Sequence, residues 1–194
     1  MGDKRLEPGR AGIGEMRPRT PLAYNPQRQA TFIVHRIMTH FSQILPLENV
    51  VLDMDVSSKK RTFEQAGLIF ENNFGIARST VSDNLFARER LGSTGLGHGV
   101  AVPHGRIKGL KEPIAAFVRL AAPIPFESPD GQPVSLLTFL LIPDNVTQQH
   151  LEILSEIAEM FSDEGFRTGL LQDPDAQSVH QRIIGWQSSM QNVA

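Results

Sequence analysis

From Glu48 onward the chain shows two hydrophobic periods in turn. Asn49 to Val56 is rich in Val and Leu with polar residues interleaved, which predicts a strand. Ser57 or Ser58 can cap the helix that follows, with Phe63, Gly67, Phe70 and Phe74 as its inner face and Gly75 as its stop. Ser79 can cap a second helix that runs to about Leu91 and halts at Gly92. Val81, Leu85 and Arg88 fall at i, i+4 and i+7 on one face of it, and Arg90 lies opposite. Val100 to Val102 reads as a short strand ended by Pro103, because proline cannot donate to a ladder.

Ile114 to Leu120 alternates Ile114, Ala116, Val118 and Leu120 on one face with Ala115, Phe117 and Arg119 on the other. Ser128 to Pro133 has the chemistry of a turn. Val134 to Ile142 is nearly continuous apolar and predicts a central strand buried on both faces. Asp144 to Phe161 carries Leu154, Ile157 and Phe161 at helical spacing, and a last helix, about Asp175 to Trp186, follows Pro174. This order predicts an α/β fold, a mixed central β-sheet flanked by helices on both faces.

The first 30 residues differ. They contain Pro8, Pro18, Pro21 and Pro26 together with Gly2, Gly9, Gly12 and Gly14, and no apolar period emerges. Thr31 to Ile44 regains helical spacing through Phe32, Ile33, Ile37, Phe41 and Ile44. Residues 1–37 hold seven basic residues against three acidic ones, a local charge of +4. They are expected to form a disordered basic N-terminal extension, and Met38 is a candidate start of translation. No apolar h-region follows the charges, so the head is not read as a signal peptide.

The remainder then holds 12 basic against 18 acidic residues, −6 overall, a poor match to nucleic acid phosphates. Cysteine is absent, which excludes disulfides, thiolate nucleophiles and Cys-based zinc sites and fits a reducing, cytoplasmic setting. The longest apolar run, Val134 to Ile142, falls well short of the roughly 20 residues a membrane-crossing helix needs. A soluble protein without membrane insertion is expected.

Among six histidines, His104 follows the strand that Pro103 ends and precedes Gly105, a setting that displays a ring at a strand end. His150 lies on the same helical stripe as Leu154, Ile157 and Phe161, in the first turn, where free N–H groups and the positive dipole end favour an anion. An inward-pointing Arg88 also calls for an anion. Each has a structural alternative on spacing alone: a turn histidine, a satisfied core histidine and half of an internal ion pair. Taken together, two imidazoles and a guanidinium can hold a phosphate.

Competing motifs fail. Gly95-x-Gly97-x-Gly99 lacks the dinucleotide-binding spacing and no Gly-Lys-Ser/Thr is present. His98 and His104 sit six apart along a strand with no His-Glu-x-x-His pair, so no metal site is predicted. Ser93 lacks the flanking pattern of a nucleophile elbow.

The stretch Arg88-Glu-Arg-Leu-Gly-Ser-Thr-Gly-Leu-Gly-His-Gly-Val-Ala-Val-Pro-His-Gly105 resembles the phosphorylation signature of fructose/mannitol-type enzyme IIA domains of the bacterial phosphotransferase system. Thr147-Gln-Gln-His-Leu-Glu-Ile-Leu154 adds a second, distant match, and the likeness runs over roughly residues 40–188, nearest to the nitrogen-regulatory type. The resemblance implies a carrier domain over about 38–190 with a mixed sheet between helical layers. It implies His104 as phosphoryl acceptor, His150 as a second active-site histidine, Arg88 as a phosphate clamp and Thr94 as a small polar neighbour. His98 inherits no role. An HPr-like phosphocarrier is the implied donor, with regulated targets such as sensor kinases or potassium transporters, and no cofactor is required. A sugar-specific component that hands its phosphate to a membrane permease is the alternative, because the same motif serves both.

Overall fold

The computed structural model describes residues 39–145 and 148–187. The 1–37 head therefore lies outside the described residues. Of the helix expected over Thr31 to Ile44, α1 (His40–Ile44) lies within them, capped by Thr39, whose Oγ1 accepts from the Ser42 amide. Among the described residues no helix is long and apolar enough to cross a membrane.

Six strands form one mixed sheet: β1 (Val50–Met54), β2 (Gly95–Gly97), β3 (Val100–Ala101), β4 (His104–Ile107), β5 (Ile114–Ile124) and β6 (Val134–Pro143). The spatial order is β1-β5-β6-β3-β2, with β4 also on β6. β1 runs parallel to β5, β5 antiparallel to β6, and both β3 and β4 parallel to β6. The expected end of the strand at Pro103 is a brief interruption. Val100 lies opposite Leu136 and His104 opposite Leu140, so β3 and β4 keep one register along β6. Proline lacks the N–H for the ladder, yet its carbonyl still accepts from Leu140 N. His104 thus heads a strand as well as following one.

The helices α2 (Lys59–Phe74) and α3 (Arg78–Glu89) cover one face, where Phe63, Phe70, Val81 and Leu85 meet Leu137, Phe139 and Leu141. Helices α1, α4 (Gln148–Ser162), α5 (Glu164–Gln172) and α6 (Ala176–Ile184) cover the other, where Ile153, Ile157, Leu170 and Ile183 meet Leu136, Leu140 and Ile142. β6 is enclosed from both sides, which is why its apolar run is unbroken by alternation.

Several expectations need correction. Ser58 does cap α2, and Gly75 ends it at φ 69°, but Phe74 is 40% exposed rather than inward, its ring set against Phe70. Ser79 lies inside α3. The residue before the helix is Ala77, and Glu71 of α2 supplies the missing acceptor by taking the Arg78 amide at 3.1 Å. α3 also stops at Glu89, two residues short of Leu91. Asp144 and Asn145 lie in a bend rather than in helix α4, and Leu154 is only half-buried, the inner stripe being His150, Ile153, Ile157, Met160 and Phe161. The strand expected over Ile114 to Leu120 runs on to Ile124. Helix α5 and strands β2 and β4 were not anticipated.

Two features lock the layers. Arg119 of β5 is buried, pairs its Nε and Nη2 with Asp53, and donates Nη1 to the carbonyls of Leu170, Leu171 and Asp173 at the end of α5. On the opposite face, Gly67 lets α2 and α3 approach, since a Cβ there would lie 2.8 Å from Arg78 O. Gly→Ala inside a helix ordinarily stabilises by about 1 kcal/mol. Here the obstacle is backbone, so Gly67→Ala is expected to destabilise by roughly 1–3 kcal/mol. Thermal melting checks this, and an unchanged or raised Tm would contradict the close helix contact.

Candidate active site

The close approach of α3 to β4 builds the site. Gly105 follows His104, and a Cβ on it would lie 3.2 Å from Asn84 C and Leu85 N of α3. One turn further along α3, Arg88 meets the His104 ring. Its Nε donates to His104 Nε2 at 2.9 Å, and its Nη1 donates to Gly92 O at 2.9 Å.

The other ring nitrogen is held from behind. The β2–β3 ladder ends with Val102 N donating to Thr94 O at 2.9 Å. Beyond it, Val102 O takes the His104 Nδ1 contact at 2.9 Å. A carbonyl only accepts, so Nδ1 carries the proton. A guanidinium only donates, so Nε2 presents its lone pair. Two contacts therefore select one neutral tautomer. Burial lowers the His104 pKa from 6.5, and the Arg88 and Arg106 guanidinium groups lower it further, while the Val102 carbonyl and Glu89 act in the opposite direction.

His150 lies 3% exposed in the first turn of α4, and its pKa is also lowered, first by burial and then by Arg106. Arg88, His104 and His150 line one open cleft of about 520 Å³, with Arg106 and the exposed Leu91 and Leu151 around them. The three residues singled out from the sequence thus converge. Thr94 lines a smaller adjoining cleft with Arg88 and His104, and its hydroxyl donates to Glu89 Oε2 at 2.6 Å. His98 stands apart in the turn between β2 and β3, exposed, at φ 54°, its amide held by Asp130 Oδ2 at 2.7 Å.

Sequence reasoning missed two charged residues here. Arg106 sits on β4 two residues after His104, on the same side of that strand, and the only available signal was that parity. Glu89 looks like an ordinary solvated helix-end residue in the sequence, yet its side chain is 7% exposed. With Nε2 facing the cleft and basic groups as its charged lining, the arrangement suits a nucleophilic imidazole and an anionic electrophile.

Comparison with known proteins gives the family. The family described as "Phosphoenolpyruvate-dependent sugar phosphotransferase system, EIIA 2" matches residues 43–185, and the chain belongs to that family of phosphotransfer components. Within it, a protein named nitrogen regulatory protein from Pseudomonas aeruginosa is 40% identical over 152 residues, 78% of this chain and 99% of that one. The crystal structure of the nitrogen regulatory protein IIA-Ntr from Neisseria meningitidis superimposes with a TM-score of 0.70 at 49% identity, over 73% of this chain and 97% of that one. The mannitol IIA of Escherichia coli shares the fold, with a TM-score of 0.61 at 18% identity over 71% and 97% of the two chains.

Both buried rings make stability depend on pH. In the unfolded chain they take protons near 6.5; in the folded one they resist to lower pH. Between those values the unfolded state binds more protons, so stability falls as pH drops below about 6.5 and the fall ends once the folded rings titrate. Melts across pH 5–7.5 are expected to show this, with a shallower slope in His150→Gln. An equal slope in that variant would deny His150 its share.

Proposed function

We propose that this chain is a cytoplasmic regulatory phosphocarrier whose His104 accepts a phosphoryl group from an HPr-like phosphohistidine protein. Its phosphorylation state then controls which target proteins it binds. The observation that carries the reading is the paired restraint on the ring, with Nδ1–H on Val102 O and Nε2 turned to the cleft beside Arg88. The identity shared with nitrogen regulatory proteins over most of the chain supports the regulatory half.

The step follows from that geometry. Arg88 Nε occupies the lone pair in the resting site, so it must release Nε2 before the ring can react. Nε2 then forms its bond to phosphorus as the donor's N–P bond breaks, and the donor imidazole leaves with the electron pair. Nδ1 keeps its proton throughout, and Val102 O steadies the positive charge that the ring acquires. The Arg88 N–H groups released from nitrogen meet phosphoryl oxygens instead, while Arg106 adds positive charge at the cleft that His150 also lines. The lowered pKa keeps the ring neutral at physiological pH, and transfer is lost only when acid protonates Nε2.

Incubation with the general phosphotransferase proteins and labelled phosphoenolpyruvate is expected to give one acid-labile phosphoryl group per chain. Label persisting in His104→Ala would refute the assignment. Arg88→Ala is expected to slow transfer by about 2–3 kcal/mol, roughly 30- to 150-fold, while the domain remains folded. Wild-type transfer in Arg88→Ala would remove the guanidinium from the reaction.

A further inference from the structure

Behind the cleft lies an ion pair, the Glu89 side chain buried and Lys59 partly so, that the transfer step itself does not use. Glu89, the last residue of α3, receives three hydrogen bonds. Lys59 Nζ donates to its Oε1 at 2.8 Å, while the Thr94 hydroxyl and amide donate to Oε2 at 2.6 and 3.1 Å. Lys59 is the first residue of α2, where a cation opposes the helix dipole, so helix stability does not account for it. It is further enclosed by the Phe126 ring, 4.3 Å from Nζ to the centroid, and by Glu127 at 3.0 Å. Glu127 adopts φ 59°, an uncommon conformation for a residue with a Cβ. A buried ion pair is often replaceable by apolar residues at no loss of stability. Its presence beside a reactive ring therefore calls for a positional explanation.

We propose that Glu89 is a positioning residue for phosphoryl transfer, pinning the Gly92–Thr94 segment whose carbonyls hold Arg88 and Val102, the two partners of the His104 ring. This rests on His104 being the acceptor. One branch starts at Thr94, held by Glu89 through its amide and hydroxyl. Its carbonyl receives Val102 N, and Val102 O receives His104 Nδ1. The second branch starts at Gly92, whose carbonyl receives Arg88 Nη1, leaving Arg88 Nε aimed at His104 Nε2. Ser93, between them, is tied to the Phe126 carbonyl by its Oγ at 2.9 Å. A loosened turn would let Val102 O and Gly92 O drift together, and the ring would lose both restraints at once. Lys59 holds the Glu89 carboxylate in place through its Oε1, so it belongs to the same unit.

The proposal separates ring placement from donor binding. Glu89 lies buried behind the cleft, and the cleft-lining residues are unchanged when it is altered. Glu89→Gln is expected to lower the transfer rate at saturating donor at least tenfold, with the donor KM changed less than twofold. Nitrogen-15 spectra of the His104 ring should change from a fixed Nδ1–H form in the wild type to an exchanging mixture in the variant. Thr94→Val should shift both readouts the same way, and Thr94→Ser, which restores a hydroxyl, should bring them back to within twofold of wild type. A lowered Tm with unchanged rate and unchanged tautomer would reduce Glu89 to a structural role and overturn the proposal. So would equal behaviour of Thr94→Val and Thr94→Ser. The tautomer spectra need no donor, so a wild-type protein that fails to take phosphate would sink the acceptor reading while the spectra still decide the role of Glu89.

Discussion

The site depends on a single imidazole being gripped at both nitrogens by groups of opposite hydrogen-bonding character. A carbonyl on Nδ1 and a guanidinium on Nε2 leave only one neutral arrangement of the ring. Neither contact is made by a residue chosen for that purpose alone. The carbonyl is free because a short strand pair ends there, and the guanidinium arrives because a helix comes close to a glycine. Burial completes the effect by disfavouring the charged ring. A neutral ring with its proton on Nδ1 and its lone pair on Nε2 is thus a product of backbone layout as much as of side-chain identity.

The sheet supplies the rigidity this requires. β6 is covered on both faces, and it carries β3 and β4 in a continuous register, so the His104 ring stands on a strand paired directly with a deeply buried one. The cleft itself forms where α3, β4 and the start of α4 converge. Each contributes one residue of the trio Arg88, His104 and His150. Long-range packing alone brings them together, since His150 is far from the other two in sequence.

Much of this was legible from residue pattern because the relevant elements are long or well punctuated. α2 carries a serine cap and a glycine stop, and β6 is an apolar run too continuous for anything but a central strand. Arg88 was readable as inward-facing because it shares a stripe with Val81 and Leu85. What stayed hidden was short or compensated from elsewhere. β2 and β4 are three and four residues long and rich in glycine, so they exist only through their neighbours. α5 contains Gly165 and Gly169, the second with a Cβ position 3.0 Å from the Arg182 guanidinium, and its last carbonyls are taken by Arg119. The start of α3 has no side-chain cap of its own because Glu71 reaches across from α2. Glu89 could not be distinguished from a solvated acid, as its burial arises from Lys59 and Thr94 folding over it.

The common register of β3 and β4 along β6 has a consequence for how such a domain can vary. Side chains alternate between the two layers of a sheet, so gaining or losing one residue anywhere from Val100 to His104 would rotate the imidazole into the opposite helical layer. The same holds for the facing stretch Leu136 to Leu140. These two segments behave as a shared reading frame, in which the number of residues sets the side of the sheet that each side chain takes. Changes of chain length are left to the turns outside it.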